Sequence, residues 1–209
     1  NVDMKGNILA GVSDCMNIMK YKHQFHMNKN DLYCNAGMYL VDLKKWREEK
    51  VEDKIIKRIH EQNGNVFFFE QTLMNWSCSG KILQLPPKYN AYTLFWAFTY
   101  KNLICWRKPN AFYLESEVEE AKDNPIIIHF TRNFYMLSRP WIKGCDHPKT
   151  KEYVKYKLLT PWKQLEEDNR SKKSIRRYKL WHIIPQRILA IGAGVIYNEV
   201  RPKLWWKNE

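Results

Sequence analysis

The sequence predicts an α/β layered domain, on three observations. Short runs of apolar and β-branched residues recur as strand candidates at residues 7–13, 32–43 and 126–130. Stretches with apolar residues at helical spacing separate them, the alternation that a layered α/β core requires. Hydrophobic residues make up 44% of the 209 residues and include 9 Trp, 12 Tyr and 9 Phe, enough to bury a sizeable core in one domain.

Taken in order, NILAGVS (7–13) is an apolar run that stops at Asp14 and reads as a buried strand. Residues 20–31 are polar and His-rich, a loop. LYCNAGMYLVDL (32–43) is strand-like, and Gly37 inside it marks close approach of a ligand or another backbone. From Leu43 to Gln62 the period becomes helical, with Trp46, Val51, Ile55, Ile56 and Ile59 set among charges, and Asn63-Gly64 ends it. Phe67–Phe69 enter a core, and Gln71–Cys78 form a short helix. LPPKYN (85–90) is irregular, fixed by its two prolines, and residues 92–114 are dense in aromatics without a readable period. LESEVEEAKDNP (114–125) is an acidic helix stopped before Pro125. IIIHF (126–130) is a buried strand, followed by a loop that closes on Arg139-Pro140-Trp141. Next come a turn and a helix with Tyr153, Val154, Tyr156 and Leu158 on one side, then a basic stretch kinked at Pro185.

The formal net charge of +13 is uneven, because residues 170–209 hold ten Lys and Arg against two acids. A localised cationic end points to an anionic partner, or to a solvated basic face. Residues 172–207 interleave Arg176, Arg177, Lys179, Arg187 and Lys203 with Trp181, Ile184, Leu189, Trp205 and Trp206, a pattern suited to an anionic membrane surface. The longest uncharged stretch there, Ile188–Asn198, has eleven residues, against the roughly 20 needed to span a bilayer. No nucleic-acid motif accompanies the charge, so nucleic acid is not the expected partner. Five cysteines without a Cys-x-x-Cys pair argue for a reducing compartment, against a disulfide framework or zinc ribbon.

Several polar residues stand where chemistry collects. His129 reads either as a satisfied core histidine or as a ligand at the carboxyl end of a strand. Arg139, ahead of Pro-Trp, is a packing-corner arginine or a cation for a diphosphate. Glu70-Gln71 offers a carboxylate and an amide to a sugar's hydroxyls, and Asp14 is a polar strand tip. His23, His26 and Cys145-Asp146-His147 are metal-ligand types without a complete partner set, and read as loop residues.

The stretches GVSD, YCNAGMYLVDLKKWR, FFFEQTLMN, LPPKYN and IIHF…SRPWIKGCDHP…YKLLTPWK occur in this order from about residue 5 to residue 165. Together they resemble glycosyltransferase family 8, and more closely its bacterial branch that builds lipopolysaccharide or capsular glycans. The resemblance implies a GT-A fold, of which residues 1–165 are the C-terminal part without the N-terminal nucleotide-binding half, followed by a basic, aromatic, amphipathic tail at 166–209. It implies a retaining, metal-dependent transferase moving glucose or galactose from a UDP-sugar to a glycan or lipid-linked saccharide acceptor, with manganese as the usual metal. His129 matches the family histidine that joins the metal, and Arg139 stands where a lysine more often touches the diphosphate. Asn35 and Ala36 match the small polar pair beside the donor sugar, and Asp14 an aspartate of the sugar pocket. Gln71 matches the glutamine of the family's Asp-Gln pair at the reacting carbon, with Glu70 one methylene longer than the usual aspartate. A cytoplasmic enzyme peripheral to the inner face of the plasma membrane follows from lipid-linked acceptors and the tail.

The family's metal-holding Asp-x-Asp occurs nowhere in residues 1–209. The resemblance therefore implies a fragment, inactive alone, whose missing ligands precede residue 1. The alternative is a non-catalytic basic module derived from a transferase, binding anionic membrane or nucleic acid.

Overall fold

The computed structural model describes residues 2–21, 27, 28 and 30–206, with the side chains of Trp205 and Trp206 outside that description. His23 and His26 also lie outside the described residues.

Strand β1 (Leu9–Ser13) is buried along its whole length and forms the middle of a three-stranded sheet. Strand β2 (Cys34–Val41) runs antiparallel to it, with Ala10 opposite Leu40 and a register shift between Gly11 and Ser13. Strand β3 (Ile82–Gln84) pairs in parallel on the other side. The shift is a β-bulge at the end of β1, just ahead of Asp14.

The helical period of 43–62 is interrupted. Helix α1 (Leu43–Glu48) starts at Asp42, whose carboxylate accepts from the backbone N–H of Lys44 and Lys45, an N-cap. Helix α2 (Val51–Glu61) begins after Lys50, which adopts a left-handed φ of 49°. After the break Val51 is completely buried, in the same apolar cluster that Trp46 packs against. Left-handed Asn63 and Gly64 then end α2.

Helix α3 (Phe69–Ser77) follows a second unusual turn, in which Phe68 and Phe69 both have positive φ, 59° and 45°. Bulky residues in that region are strained and persist only where surrounding packing holds them. Phe67 supplies the packing, stacked on Tyr21 at 4.5 Å. Only part of the aromatic triplet enters the core as expected: Phe69 is 73% exposed, because its left-handed backbone turns the ring out at the helix start.

A second pair of short strands, β4 (Ala91–Tyr92) and β5 (Ile128–His129), is parallel, with Tyr92 opposite His129. The run IIIHF is not the buried strand its composition suggests. Ile126 and Ile127 are exposed at 57% and 38%, because only one side of this edge meets the core.

Helices α4 (Leu94–Ala97), α5 (Tyr100–Arg107) and α6 (Glu115–Asp123) pack around Phe95, Leu103 and Val118 in the largest core cluster. Helix α7 (Thr150–Lys157) buries none of its residues. Helix α8 (Lys172–Ile183) ends at Ile184-Pro185, where the chain bends by 112° into α9 (Gln186–Val195). Helix α9 continues through a π-helical turn at Ile196–Val200 into α10 (Arg201–Trp206).

A few positions of the basic C-terminal stretch, all beyond the bend at Pro185, are thus built into the core. Leu189 and Ala190 are buried, and Gly194 lies against α5 so closely that a Cβ there would come within 3.1 Å of the Cys105 carbonyl oxygen. Asn198 donates to the carbonyls of Trp106 and Gly194, both at 2.8 Å, bridging the two helices.

Candidate active site

Four segments distant in sequence bring their polar side chains together at the bulged end of β1. The Asp14 carboxylate is the hub. One oxygen accepts from Asn35 Nδ2 at 2.9 Å and Gln71 Nε2 at 3.0 Å, and the other meets Arg107 Nη2 at 3.3 Å. These are charge-assisted bonds in a half-dry place, stronger than neutral ones at the surface.

Both amides are fixed in orientation. Gln71 Oε1 accepts from the Ala36 backbone N–H at 3.0 Å, while its Nε2 donates to Asp14, so the carboxamide cannot flip without losing both bonds. Asn35 Nδ2 faces Asp14, and its Oδ1 accepts from Gly37 N at 2.9 Å and Asn90 Nδ2 at 3.0 Å. The start of α3 positions Gln71, and Asn75 one turn later locks the helix to β2 through Cys34 N and Cys34 O, at 2.6 and 2.8 Å.

His129 arrives from β5 and lies over Gly37. A Cβ on Gly37 would stand 2.0 Å from His129 Nδ1 and 2.6 Å from Asn90 Oδ1. The glycine in this strand therefore marks the approach of an imidazole. Both His129 Nδ1 and Asn90 Oδ1 are buried without a hydrogen-bond partner among the described residues. Burial holds His129 below the usual imidazole range; Asp14 opposes that and Arg139 reinforces it. The ring is thus neutral near pH 7, the form that can bind a metal.

Arg139 lies over the Trp141 ring at 5.1 Å, in the wall of a cavity of about 710 Å³. Glu70 is exposed at the start of α3, and the hydrogen bonds around Asp14 do not include it. Asp14, Asn35, Ala36, Gln71 and His129 are brought together, with Arg139 nearby and Glu70 facing solvent.

Arg107 and Asn90 escaped the sequence reading. Arg107 sits in the aromatic segment without a period, its guanidinium 4.2 Å over Tyr197 and bonded to the Cys15 carbonyl. Nothing in the residues beside Arg107 signals its partner, which is 93 positions away.

The metal-ligand types of the site make an incomplete set. Among the described residues no group of three His, Cys, Asp or Glu is placed to hold an ion, and the single imidazole of His129 does not by itself make a metal site.

Cys145-Asp146-His147 is structural. His147 is 3% exposed, edge-on to Trp96 at 4.9 Å and Phe130 at 4.8 Å. Burial, with Lys149 adding to it, pushes it down to about 4. The folded state thus binds this proton less readily than the unfolded chain, whose histidine titrates near ~6.5. The stability this contributes is present above about pH 6.5 and lost as pH falls toward about 4. Urea unfolding is expected to show wild type losing up to about 3 kcal/mol more than His147→Phe across that window. Parallel declines in the two proteins would contradict the assignment.

The sequence model described as glycosyl transferase family 8 matches residues 1–143. The chain belongs to glycosyl transferase family 8. Among family relatives, it is 28% identical over 206 residues to the lipopolysaccharide 1,2-glucosyltransferase of Escherichia coli, covering 94% of this chain and 55% of that one. It is 24% identical over 164 residues to general stress protein A of Bacillus subtilis, covering 78% and 53%. The chain spans about half the length of these curated relatives.

The GT-A fold of the family is evident in solved structures. The bifunctional glycosyltransferase WbbM superposes with a TM-score of 0.58 at 17% identity, covering 85% of this chain and 31% of that one. The galactosyltransferase LgtC, in complex with donor and acceptor sugar analogues, gives 0.55 at 15% identity, covering 85% and 58%. The family 8 match ends just beyond Trp141, so it includes every residue around Asp14 and His129 and excludes α8 and α9.

Proposed function

We propose that this family 8 chain carries the reaction centre of a retaining hexosyltransferase that moves glucose or galactose from a UDP-sugar to a glycan or lipid-linked saccharide. The observation that carries it is the Asp14 hub, which holds the Gln71 carboxamide in one orientation beside Asn35 and the neutral His129. A preoriented amide oxygen and a nearby carboxylate favour the positive character that an anomeric carbon gains as its leaving group departs. Arg139 faces the departing diphosphate, and Glu70, the residue beside Gln71 in the family's pair, is exposed to solvent. His129 would hold one position on a divalent ion, manganese being usual in the family, and such an ion would supply neutralisation of leaving-group charge. The relatives support this reading: one is described as a lipopolysaccharide glucosyltransferase, and LgtC was solved with donor and acceptor analogues.

The test is UDP release from UDP-glucose and UDP-galactose by protein extended to the relatives' length, with manganese. Gln71→Ala is expected to lower kcat about 10²-fold. No turnover of either nucleotide sugar by the wild type would defeat the proposal. The 209-residue chain, with no Asp-x-Asp, is expected to turn over neither sugar by itself.

Attachment to the anionic inner face of the cytoplasmic membrane is a second element of this proposal. The outward side of α8 and α9 exposes Leu180, Ile183, Ile188 and Ile191 at 50–78% beside Arg176, Lys179 and Arg187. No single described helix is long and apolar enough to cross a membrane, although α8 and the helix after the bend pass that test as a bent pair. Ile183→Asp is expected to weaken co-sedimentation with anionic liposomes severalfold. Unchanged sedimentation would remove the membrane from the proposal. Liposome binding with no turnover at full length would favour the non-catalytic module.

A further inference from the structure

The cavity of about 710 Å³ beside Arg139 carries far more positive charge than one diphosphate contact requires. Arg132, Arg139, Arg170, Lys173 and Arg177 line it, and no Asp or Glu does. Cations gathered in a concave wall repel one another, a cost that a multiply charged anion relieves. Arg170 makes the need specific. Its Nε and Nη2 are buried and have no hydrogen-bond partner among the described residues, although a guanidinium presents these donors as a fork matched to phosphate.

The remaining wall is aromatic. Phe134, Trp141, Tyr178 and Trp181 line the same space, flat apolar faces of the kind that stack on the C–H face of a pyranose. On α8 the lining positions are 173, 174, 177, 178 and 181, one helical face by their spacing of three and four. The apolar positions Ile175, Leu180 and Ile183 are exposed on the other side, so this cavity is separate from the surface assigned to a membrane. The α8 wall also lies beyond residue 143, outside the segment common to the family.

We infer that this cavity is a subsite for a phosphorylated saccharide, the acceptor glycan of the transferase proposed above, on which this acceptor role rests. Arg170 and Arg177 take the phosphate and Trp141 and Trp181 the sugar ring, while Arg139 faces both this subsite and the donor.

Tryptophan fluorescence of the 209-residue chain reports on the site through Trp141 and Trp181, two of its nine tryptophans, and a Trp181→Phe control identifies their share of the signal. Trehalose 6-phosphate is expected to bind at least about tenfold more tightly than trehalose or inorganic phosphate. Arg170→Gln and Arg177→Gln are each expected to weaken it about tenfold. Arg177 is exposed, so that variant tests the site even if Arg170→Gln fails to fold. Equal affinity for inorganic phosphate and trehalose 6-phosphate would reduce the site to an adventitious anion site and overturn the inference. Competitive displacement by UDP would assign the cavity to the donor, and displacement by vesicles of phosphatidylcholine and phosphatidylglycerol in equal parts would assign it to lipid. Either result overturns it. Binding is read without turnover, so failure of the transferase reading shows as absent UDP-hexose turnover with this contrast intact. Failure of the present inference shows as loss of the contrast itself.

Discussion

Asp14→Ala is expected to destabilise the protein by about 3–5 kcal/mol, the range for removing one partner of a buried ion pair. The size follows from what the carboxylate leaves behind. Arg107 and Asp14 expose 12% and 9% of their side chains, so the guanidinium has little access to compensating water. The change also strands the Asn35 and Gln71 amides, each of which points an N–H at the same oxygen. Asp14→Asn keeps one acceptor and is expected to cost less, which separates loss of charge from loss of the hydrogen-bond hub. Equilibrium denaturation of the three proteins measures both effects. An Asp14→Ala protein within about 1 kcal/mol of wild type would mean that solvent screens the pair far more than its burial implies.

Gly37→Ala is the second large effect, and it acts through space. The added methyl would overlap the His129 ring, 2.0 Å from Nδ1 and 2.5 Å from Cε1, and Asn90 Oδ1 blocks the other way out at 2.6 Å. An aromatic ring set between a strand and a side-chain amide cannot yield by a few tenths of an ångström, so either β5 or β2 must shift. Overpacking of this kind costs about 1–3 kcal/mol. Under the proposed function, the displaced imidazole is expected to cost protein extended to the relatives' length about 10²-fold in turnover. Denaturation and UDP-hexose turnover are the paired readouts. Normal stability with normal turnover would show that His129 does not depend on the glycine.

The parts of the fold legible in the sequence were those governed by local period. Strands β1 and β2 and helix α6 announce themselves because their partners lie on predictable faces. IIIHF misled because an edge pair buries one side only, leaving Ile126 and Ile127 exposed, and an apolar run carries no mark of that. The single helix expected at 43–62 split at Lys50, since a left-handed residue there buries Val51, a tertiary gain invisible in the helical period. Most of the candidate site was legible only through the order of several motifs. Asp14, Asn35, Gln71 and His129 are each unremarkable in isolation, and the side-chain hydrogen bonds of the first three join residues up to 93 apart. Arg107 stayed hidden because the chain beside it says nothing of the carboxylate it meets. The cations of α8 carry the pattern of a surface helix, and nothing local marks Lys173, Arg177 and Trp181 as the wall of a cavity.

The cation of Arg201 lies over the Phe67 and Phe68 rings, at 4.9 and 5.3 Å, and over Tyr197 at 5.3 Å. Phe68 belongs to the left-handed turn that launches α3, and Phe67 packs against it, so the pair helps set where Gln71 stands. Truncation of the chain ahead of α8 would consequently remove a brace from the turn before Gln71 along with the outward faces of α8 and α9. Under the proposed function, deletion mapping would register loss of the proposed turnover and of the proposed membrane attachment as a single phenotype. Point substitutions on the outward side of α8 are the means of telling the two apart.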